Sequence, residues 1–367
     1  MSKKNSPSDA EGFDRFAEAP WMDGDTESAL HSIIPHYMQG SSAVLYGRWW
    51  QLERWLRTLV YVELKALHGR NWVDEVKAAN GRLAQDAAFT HMSGPDNDNP
   101  LAYLDYSQLI QIVDNNWAQL GYALLEKGSW DGRQVDLKRI RHRIGHMRSP
   151  HSDDINRLEQ TLRDLERGAF IALASYNERW VPDSETNNDP VTRGWIDAEH
   201  EVAQRLFVHA YDHYETSLHV RTSKRPWKTG SVEDLAGAQG YLWHADFFLR
   251  SRFVDVPALW RDVKNSFVES LLLHLEIRSP QQIGFTFSAA DDANQVSDAI
   301  GRAFDWVLVN SSLRDRSKSR PYASWARRHR QMDYRIVGAD PWTTVDDTTV
   351  PIDIFGAGGG VDRVPRW

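Results

Sequence analysis

The sequence contains no cysteine. That excludes disulfides, thiolate metal sites and a cysteine nucleophile, and it is compatible with a reducing compartment. No apolar run reaches the roughly 18 residues that a membrane-spanning helix needs, so no membrane span is expected. The first residues, MSKKNSPSDAEGFDRF, hold two lysines with no apolar stretch behind them, which is not a secretory pattern. The expected location is cytoplasmic. Positive charge is in deficit: 43 Lys and Arg stand against 51 Asp and Glu, a formal net charge of −8. An acidic chain of this kind is not expected to coat nucleic acid indiscriminately, although it can carry a local basic site. No internal repeat is present. The glycine run Gly356–Gly360 lacks the strand before and the helix after that a nucleotide loop requires, so it is read as tail.

Tryptophan, by contrast, is abundant, with 16 in the chain, and Trp49, Trp50, Trp55, Trp72 and Trp117 crowd into the first third. Core and interface filling is the expected use, base stacking the sharper alternative. A length of 367 residues allows two packed domains.

Residues 1–38 are polar and read as an N-terminal arm with one short helix. Residues 39–180 read as a bundle of four amphipathic helices. In the first, Leu45, Trp49, Leu52, Leu56, Leu59 and Val60 recur at three- and four-residue spacing. Glu63 continues that stripe, which predicts a buried carboxylate satisfied by an arginine from another helix, with a catalytic role as the alternative. SGPDNDNP, residues 93–100, is a loop. The second helix carries Tyr106, Leu109, Ile110, Val113, Trp117, Leu120 and Leu124. Asp131-Gly132 then marks a turn. Leu137, Ile140, Ile144 and Met147 define the apolar side of the third helix, which Pro150 is expected to end. The fourth opens near Ser152 or Asp153, good N-cap types.

A linker occupies residues 181–190, rich in Pro, Asp and Asn. Residues 191–335 read as an α+β domain. Short apolar runs at Leu206–Val208, Ser217–Val220, Tyr241–Val254, Leu271–Ile277 and Ile283–Phe287 are strand candidates, the last two forming a hairpin. Ser231–Asp234 has capping-box form, and Asp291–Val309 reads as a helix. Residues 336–367 are a loop-like tail. The expected fold class is therefore mixed α and α+β.

The residues that carry chemistry lie in Arg141-His142-Arg143-Ile144-Gly145-His146. His142 and His146 are four apart and share a helix face turned away from the apolar stripe, with Arg141 beside them. Imidazole titrates near neutral pH, and a guanidinium grips phosphate with a planar fork. RNA supplies its own nucleophile, the 2′-hydroxyl. Cleavage then needs a base, an acid for the leaving 5′-oxygen and positive charge for the phosphorane. His146 suits acid or base and Arg141 the phosphate. His142 suits a second proton transfer or phosphate orientation, and Asp114 suits holding Arg141 or a histidine. From Arg133 to Arg148 six basic residues face one acid, Asp136, and Lys138, Arg139, Arg143 and Arg148 are the candidate RNA contacts. The bland alternative is a solvated helix face whose arginines pair with acids on neighbouring helices.

The stretch from Leu104 through Trp117, LDYSQLIQIVDNNW, resembles the second-helix signature of the Swt1-like branch of the HEPN superfamily. Arg141 through His146 resembles the HEPN pattern of an arginine followed four to six residues later by histidine. The leading helix with Glu53 and Arg57, then Trp72, fits the same order. The resemblance covers roughly residues 42–178. It implies a four-helix bundle that pairs with a second copy, bringing Arg141 and His146 of each subunit to a shared cleft that cleaves RNA without metal. The products would be a 2′,3′-cyclic phosphate and a 5′-hydroxyl. The position after the arginine, often Asn in the family, is His142 here. The reading is a metal-independent endoribonuclease, a toxin or phage-defence effector. It acts as a homodimer with RNA, an antitoxin or a phage-derived trigger as partners, needs no cofactor or metal, and has a C-terminal sensing domain. The alternative is a non-catalytic HEPN module that binds RNA, nucleotide or a partner protein. A third possibility is a metal-dependent hydrolase built on the C-terminal histidines, since His209 and His213 also have helical pair spacing and His200, His219 and His244 are nearby in sequence; it lacks a His-Glu-x-x-His pattern. Arg314, Arg316, Lys318, Arg320, Arg327, Arg328 and Arg330, interleaved with Tyr322 and Trp325, form a second basic stretch, read as a solvated loop and helix or as a contact for RNA backbone or an acidic partner.

Overall fold

The computed structural model describes residues 40–88, 99–230, 234–313 and 332–337. The N-terminal arm, most of the 93–100 loop, the 231–234 capping box apart from Asp234, the basic 314–330 segment and the tail beyond Val337 lie outside the described residues. A helical N-terminal region leads into a C-terminal region built on β-sheet, a general α+β architecture. The helices are α1 (Gly40–His68), α2 (Asn80–Ala87), α3 (Tyr106–Asn115), α4 (Trp117–Leu120), α5 (Lys127–Gly145), α6 (Asp154–Asn177), α7 (Ala203–Tyr214), α8 (Val256–Val263), α9 (Phe267–Leu271) and α10 (Ala293–Val309). The strands are β1 (Thr216–Lys224), β2 (Tyr241–Leu249), β3 (Arg252–Val254), β4 (Leu272–Ser279), β5 (Gln282–Ser288), β6 (Ser311–Leu313) and β7 (Ile336–Val337).

The chain divides into two compact units. One comprises the described residues up to Trp50 together with Asp131–Thr161. The other comprises Gln51–Trp130 and the described residues from Leu162 onward.

In the first unit, Leu45 and Trp49 of α1 and Leu137 and Ile140 of α5 are buried, as the helical spacing predicts. The third helix differs from its expected limits at both ends. Asp131 and Gly132 lie inside α5. The helix starts at Lys127 because the Glu126 carboxylate accepts the N–H groups of Gly128 and Ser129, and one interior glycine costs only about 1 kcal/mol. Its end comes before Pro150. Arg148 N donates to Arg143 O at 2.9 Å and Met147 N to Ile144 O at 3.0 Å, with Met147 left-handed at φ 51°. This is a Schellman turn, in which the crossed bonds satisfy the last carbonyls. Met147, expected on the apolar side, is 96 % exposed as a result.

The second unit carries the sheets. The larger has five strands in the order β1-β2-β5-β4-β7, antiparallel except for β4 with β7. Pro280 and Gln281 join β4 to β5 in the expected hairpin, and β3 pairs with β6. Strand alternation splits the large sheet into two chemically distinct faces. Register places Ala245, Phe285 and Leu275 in one row and Phe247, Ile283 and Ile277 in the next. These residues form a hydrophobic core with Ala203 and Ala210 of α7, Leu259 of α8, and Val296, Ile300 and Phe304 of α10. The opposite face carries Arg221, His244, Thr286 and His274 in one row and His219, Asp246, Gly284 and Glu276 in the next. Leu206–Val208, a strand candidate by composition, lies within α7. Ala203 and Ala210 are buried on that helix, so a period near 3.6 governs the segment. The expected helix over Asp291–Val309 is α10, capped by the Asp292 side chain on Gln295 N.

Candidate functional site

The end of α5 is where the chemistry-bearing residues of the sequence meet solvent. Arg141, His142 and His146 are exposed. His142 and His146 stand edge to face with ring centroids 4.3 Å apart. His146 N donates to His142 O, so His146 occupies the last helical turn, where the negative end of the helix dipole favours cations. The His142 imidazole is held below its usual pKa, chiefly by the charge of His146, then by desolvation, Arg148 and Arg141. That favours the neutral ring, an available base near neutral pH.

The neighbouring basic residues divide into two groups. Arg143 is committed within its own unit: its Nε donates to Asp154 Oδ2 at 2.7 Å, and its terminal nitrogen pairs with the other oxygen. Burial works against the Asp154 charge, but Arg143 and the His151 N–H hold this carboxyl below the usual range. Arg157 of α6 likewise pairs with Asp136. Lys138, Arg139, Arg141 and Arg148 are exposed and have no ion pair among the described residues. Of the six basic residues from Arg133 to Arg148, the pairing alternative thus describes Arg143, Arg133 is half-buried and also makes an interaction, and the solvent-facing cations are the other four. Asp114 accepts Lys127 Nζ at 3.0 Å, an occupation that its expected role did not include.

A second polar cluster, largely enclosed, lies in the sheet-bearing unit. Glu63 is 0 % exposed and does meet an arginine, but Arg225 follows strand β1 and is not helical. Arg225 Nη2 reaches Glu63 Oε1 at 2.5 Å, while Tyr122 and Trp227 each donate to the carboxylate at 2.6 Å. Burial opposes the guanidinium charge, but Glu63 and Tyr122 outweigh it and raise the Arg225 pKa. Beside the polar sheet face, Tyr176 of α6 touches Glu276 at 2.9 Å, His274 Nδ1 at 2.9 Å and Thr286 at 3.0 Å. Arg179 spans Glu276 and Asp246.

One proton arrangement satisfies this cluster. Thr286 gives its only hydrogen to Glu276 Oε1 at 2.7 Å, so His244 Nδ1–H donates to Thr286 and His244 Nε2 accepts from Ser223 at 2.8 Å. Both buried histidines are neutral. Burial, reinforced by Arg179, brings His244 down to about 3, and burial with Arg179 outweighs Glu276 to bring His274 to about 3. Glu276 stays ionised because its arginine partners outweigh burial, whereas burial and the Glu276 charge raise Asp246. Ser223, His244, Thr286 and Glu276 are each 0 % exposed, so this hydrogen-bonded serine–histidine–threonine–glutamate chain is interior to the unit. The alternation His244-Ala245-Asp246 and His274-Leu275-Glu276 is visible in sequence, but it reads as a solvated strand face. Only the covering Tyr176 and Arg179 reveal that the face is interior.

The C-terminal histidines do not gather at one centre, although His209 and His213 face each other with ring centroids 4.8 Å apart. His200 stacks on Trp195 at 4.7 Å, His219 lies against Phe248, and His244 is in the buried cluster. Among the described residues no group of three or more His, Cys, Asp or Glu side chains could hold a metal ion. Among these residues, too, no helix is long and apolar enough to cross a membrane. No protein-family model, curated protein or solved structure matches the chain.

Proposed function

We propose that this chain is a metal-independent endoribonuclease whose site is Arg141, His142 and His146 at the end of α5. The observation that carries the reading is the exposed His142–His146 pair, 4.3 Å between rings, set beside an exposed arginine and three further cations with no ion pair among the described residues. The HEPN-like signatures in the sequence support the same reading, together with a four-helix HEPN bundle, a cytoplasmic setting and a growth-restricting or phage-defence role.

In the proposed reaction the 2′-hydroxyl loses its proton to an imidazole as its oxygen attacks phosphorus. The bond from phosphorus to the 5′-oxygen breaks, and that oxygen takes a proton from a second imidazole. Arg141 neutralises the non-bridging oxygens. Attacking and leaving oxygens lie in line on opposite sides of phosphorus. Two rings in contact on one helix face cannot flank a phosphate in this way. The acid and the base therefore come from two copies of the chain, which is the ground for a homodimer.

The test is incubation of the purified full-length protein with RNA in EDTA. Cleavage leaving 2′,3′-cyclic phosphate and 5′-hydroxyl ends, lost in Arg141→Ala and in His146→Ala, supports the enzyme. A protein that binds RNA and never cuts it, with or without candidate antitoxins or phage lysates, refutes cleavage and leaves a binding module.

A further inference from the structure

We infer that His209 and His213, near the C-terminal end of α7, form a surface chelate for a transition-metal dication of the kind imidazole prefers, Cu2+ before Ni2+ and Zn2+. The inference is independent of the RNA reading. Both rings are exposed, one helical turn apart, with centroids 4.8 Å apart and planes at 51°. Neither has a hydrogen bond or ion pair among the described residues, so both can turn their nitrogens toward one ion at the usual distance of roughly 2.0–2.1 Å. Tyr214 walls the His209 side with its ring 5.4 Å away. No third protein ligand stands by, so water completes the coordination.

Charge decides between this pair and the equally spaced His142–His146. The α7 pair sits in the last turns of its helix, whose dipole attracts cations, with exposed Asp212 and Glu215 adjacent, set against Arg205 a turn back and Arg252, which stacks on Tyr214 at 4.5 Å. At the end of α5 the flanking residues are Arg141, Arg143 and Arg148, and the segment Leu137–Ser149 contains no acid. Arg143 is already paired with Asp154, but Arg141 and Arg148 have no such acid among the described residues; the ligand atoms are the same and the field at α7 is the less positive of the two, so the metal goes to α7.

The experiment uses the full-length protein, titrated with Cu2+, Ni2+, Zn2+ and Mg2+ by calorimetry, with electron paramagnetic resonance of the Cu2+ sample. We expect a Cu2+ signal with two nitrogen ligands, tighter binding of Cu2+ than of Ni2+ or Zn2+, and none of Mg2+. The His209→Gln/His213→Gln variant should lose affinity by at least about tenfold and lose the two-nitrogen signature, whereas His142→Gln/His146→Gln should stay within about twofold of the parent. His213→Gln alone, at an exposed position, should also abolish the two-nitrogen signature, which guards against a folding defect in the double variant. Unchanged binding in the α7 variants, or loss in the α5 variant instead, overturns the assignment. Neither result bears on RNA cleavage, which is assayed in EDTA.

Discussion

Glu63→Gln removes one charge from a pair that has no access to water, and its cost can be worked from the contacts. Glu63 and Arg225 are both 0 % exposed. With the carboxylate gone, Arg225 keeps neutral acceptors, the new amide oxygen, Tyr122 at 3.0 Å and two long contacts to Ala172 O at 3.4 Å, but loses the opposite charge that balances a buried guanidinium. Stranding such a charge costs about 3–5 kcal/mol, a large part of the 5–15 kcal/mol that holds a typical domain. Arg225→Met strands the carboxylate, but Tyr122 and Trp227 still donate to it, so the cost falls near the lower end, about 3 kcal/mol. In Glu63→Gln/Arg225→Met no charge remains. The Gln carbonyl accepts from one of the two donors and leaves the other orphaned, for about 1–3 kcal/mol. The double variant should therefore be less destabilised than Glu63→Gln alone. Urea unfolding followed by circular dichroism and tryptophan fluorescence measures all four corners of the cycle. Additivity of the two single effects to within about 0.5 kcal/mol would refute the claim that the pair acts as a unit.

Three further outcomes follow from other sites. His244 and His274 are neutral in the fold with pKa values of about 3, against about 6.5 unfolded, so their contribution is complete above pH 6.5 and drains away as pH falls. Because Asp246 and Asp291 have raised carboxyl pKa values and act in the opposite direction lower down, the slope should be read between pH 6 and 5, where the two rings together remove about 2–3 kcal/mol per pH unit; a flat profile would contradict the neutral assignment. A Cβ on Gly168 would lie 2.1 Å from Ala123 O, so Gly168→Ala should destabilise by about 1–3 kcal/mol or more. Helix propensity alone predicts the opposite sign, and the unfolding midpoint decides. Met147→Gly relieves a left-handed residue at φ 51° and should stabilise by up to about 1 kcal/mol while leaving His142 and His146 exposed; a lower melting temperature would show that the Schellman turn carries no strain.

Periodicity made the amphipathic helices legible, because Leu45, Leu52, Leu56 and Leu59 have nowhere to go but inward. The β4–β5 hairpin was equally legible from two apolar runs around a proline. Exposure of His142 and His146 followed from a hundred degrees of rotation per residue. The limits of α5 did not, since Glu126 starts the helix through its side chain and crossed backbone bonds end it at a residue that normally avoids that conformation. Leu206–Val208 misled because three apolar residues in a row carry no period. Glu63 was legible as a buried carboxylate in need of an arginine, but its partner lies 162 positions away, and spacing says nothing at that range.

The hydrogen-bonded layer between Tyr176, Arg179 and the sheet has an evolutionary consequence. A lone replacement of Glu276 would deprive Tyr176, Thr286, Arg179 and Arg278 of an acceptor at once. Drift through such a position is closed one step at a time, so these residues should be inherited as a block. Distant relatives that carry a leucine or valine at the Glu276 position should also have exchanged Arg179 and Tyr176, and the covariation should fade at once on the phenylalanine-rich side of the same strands.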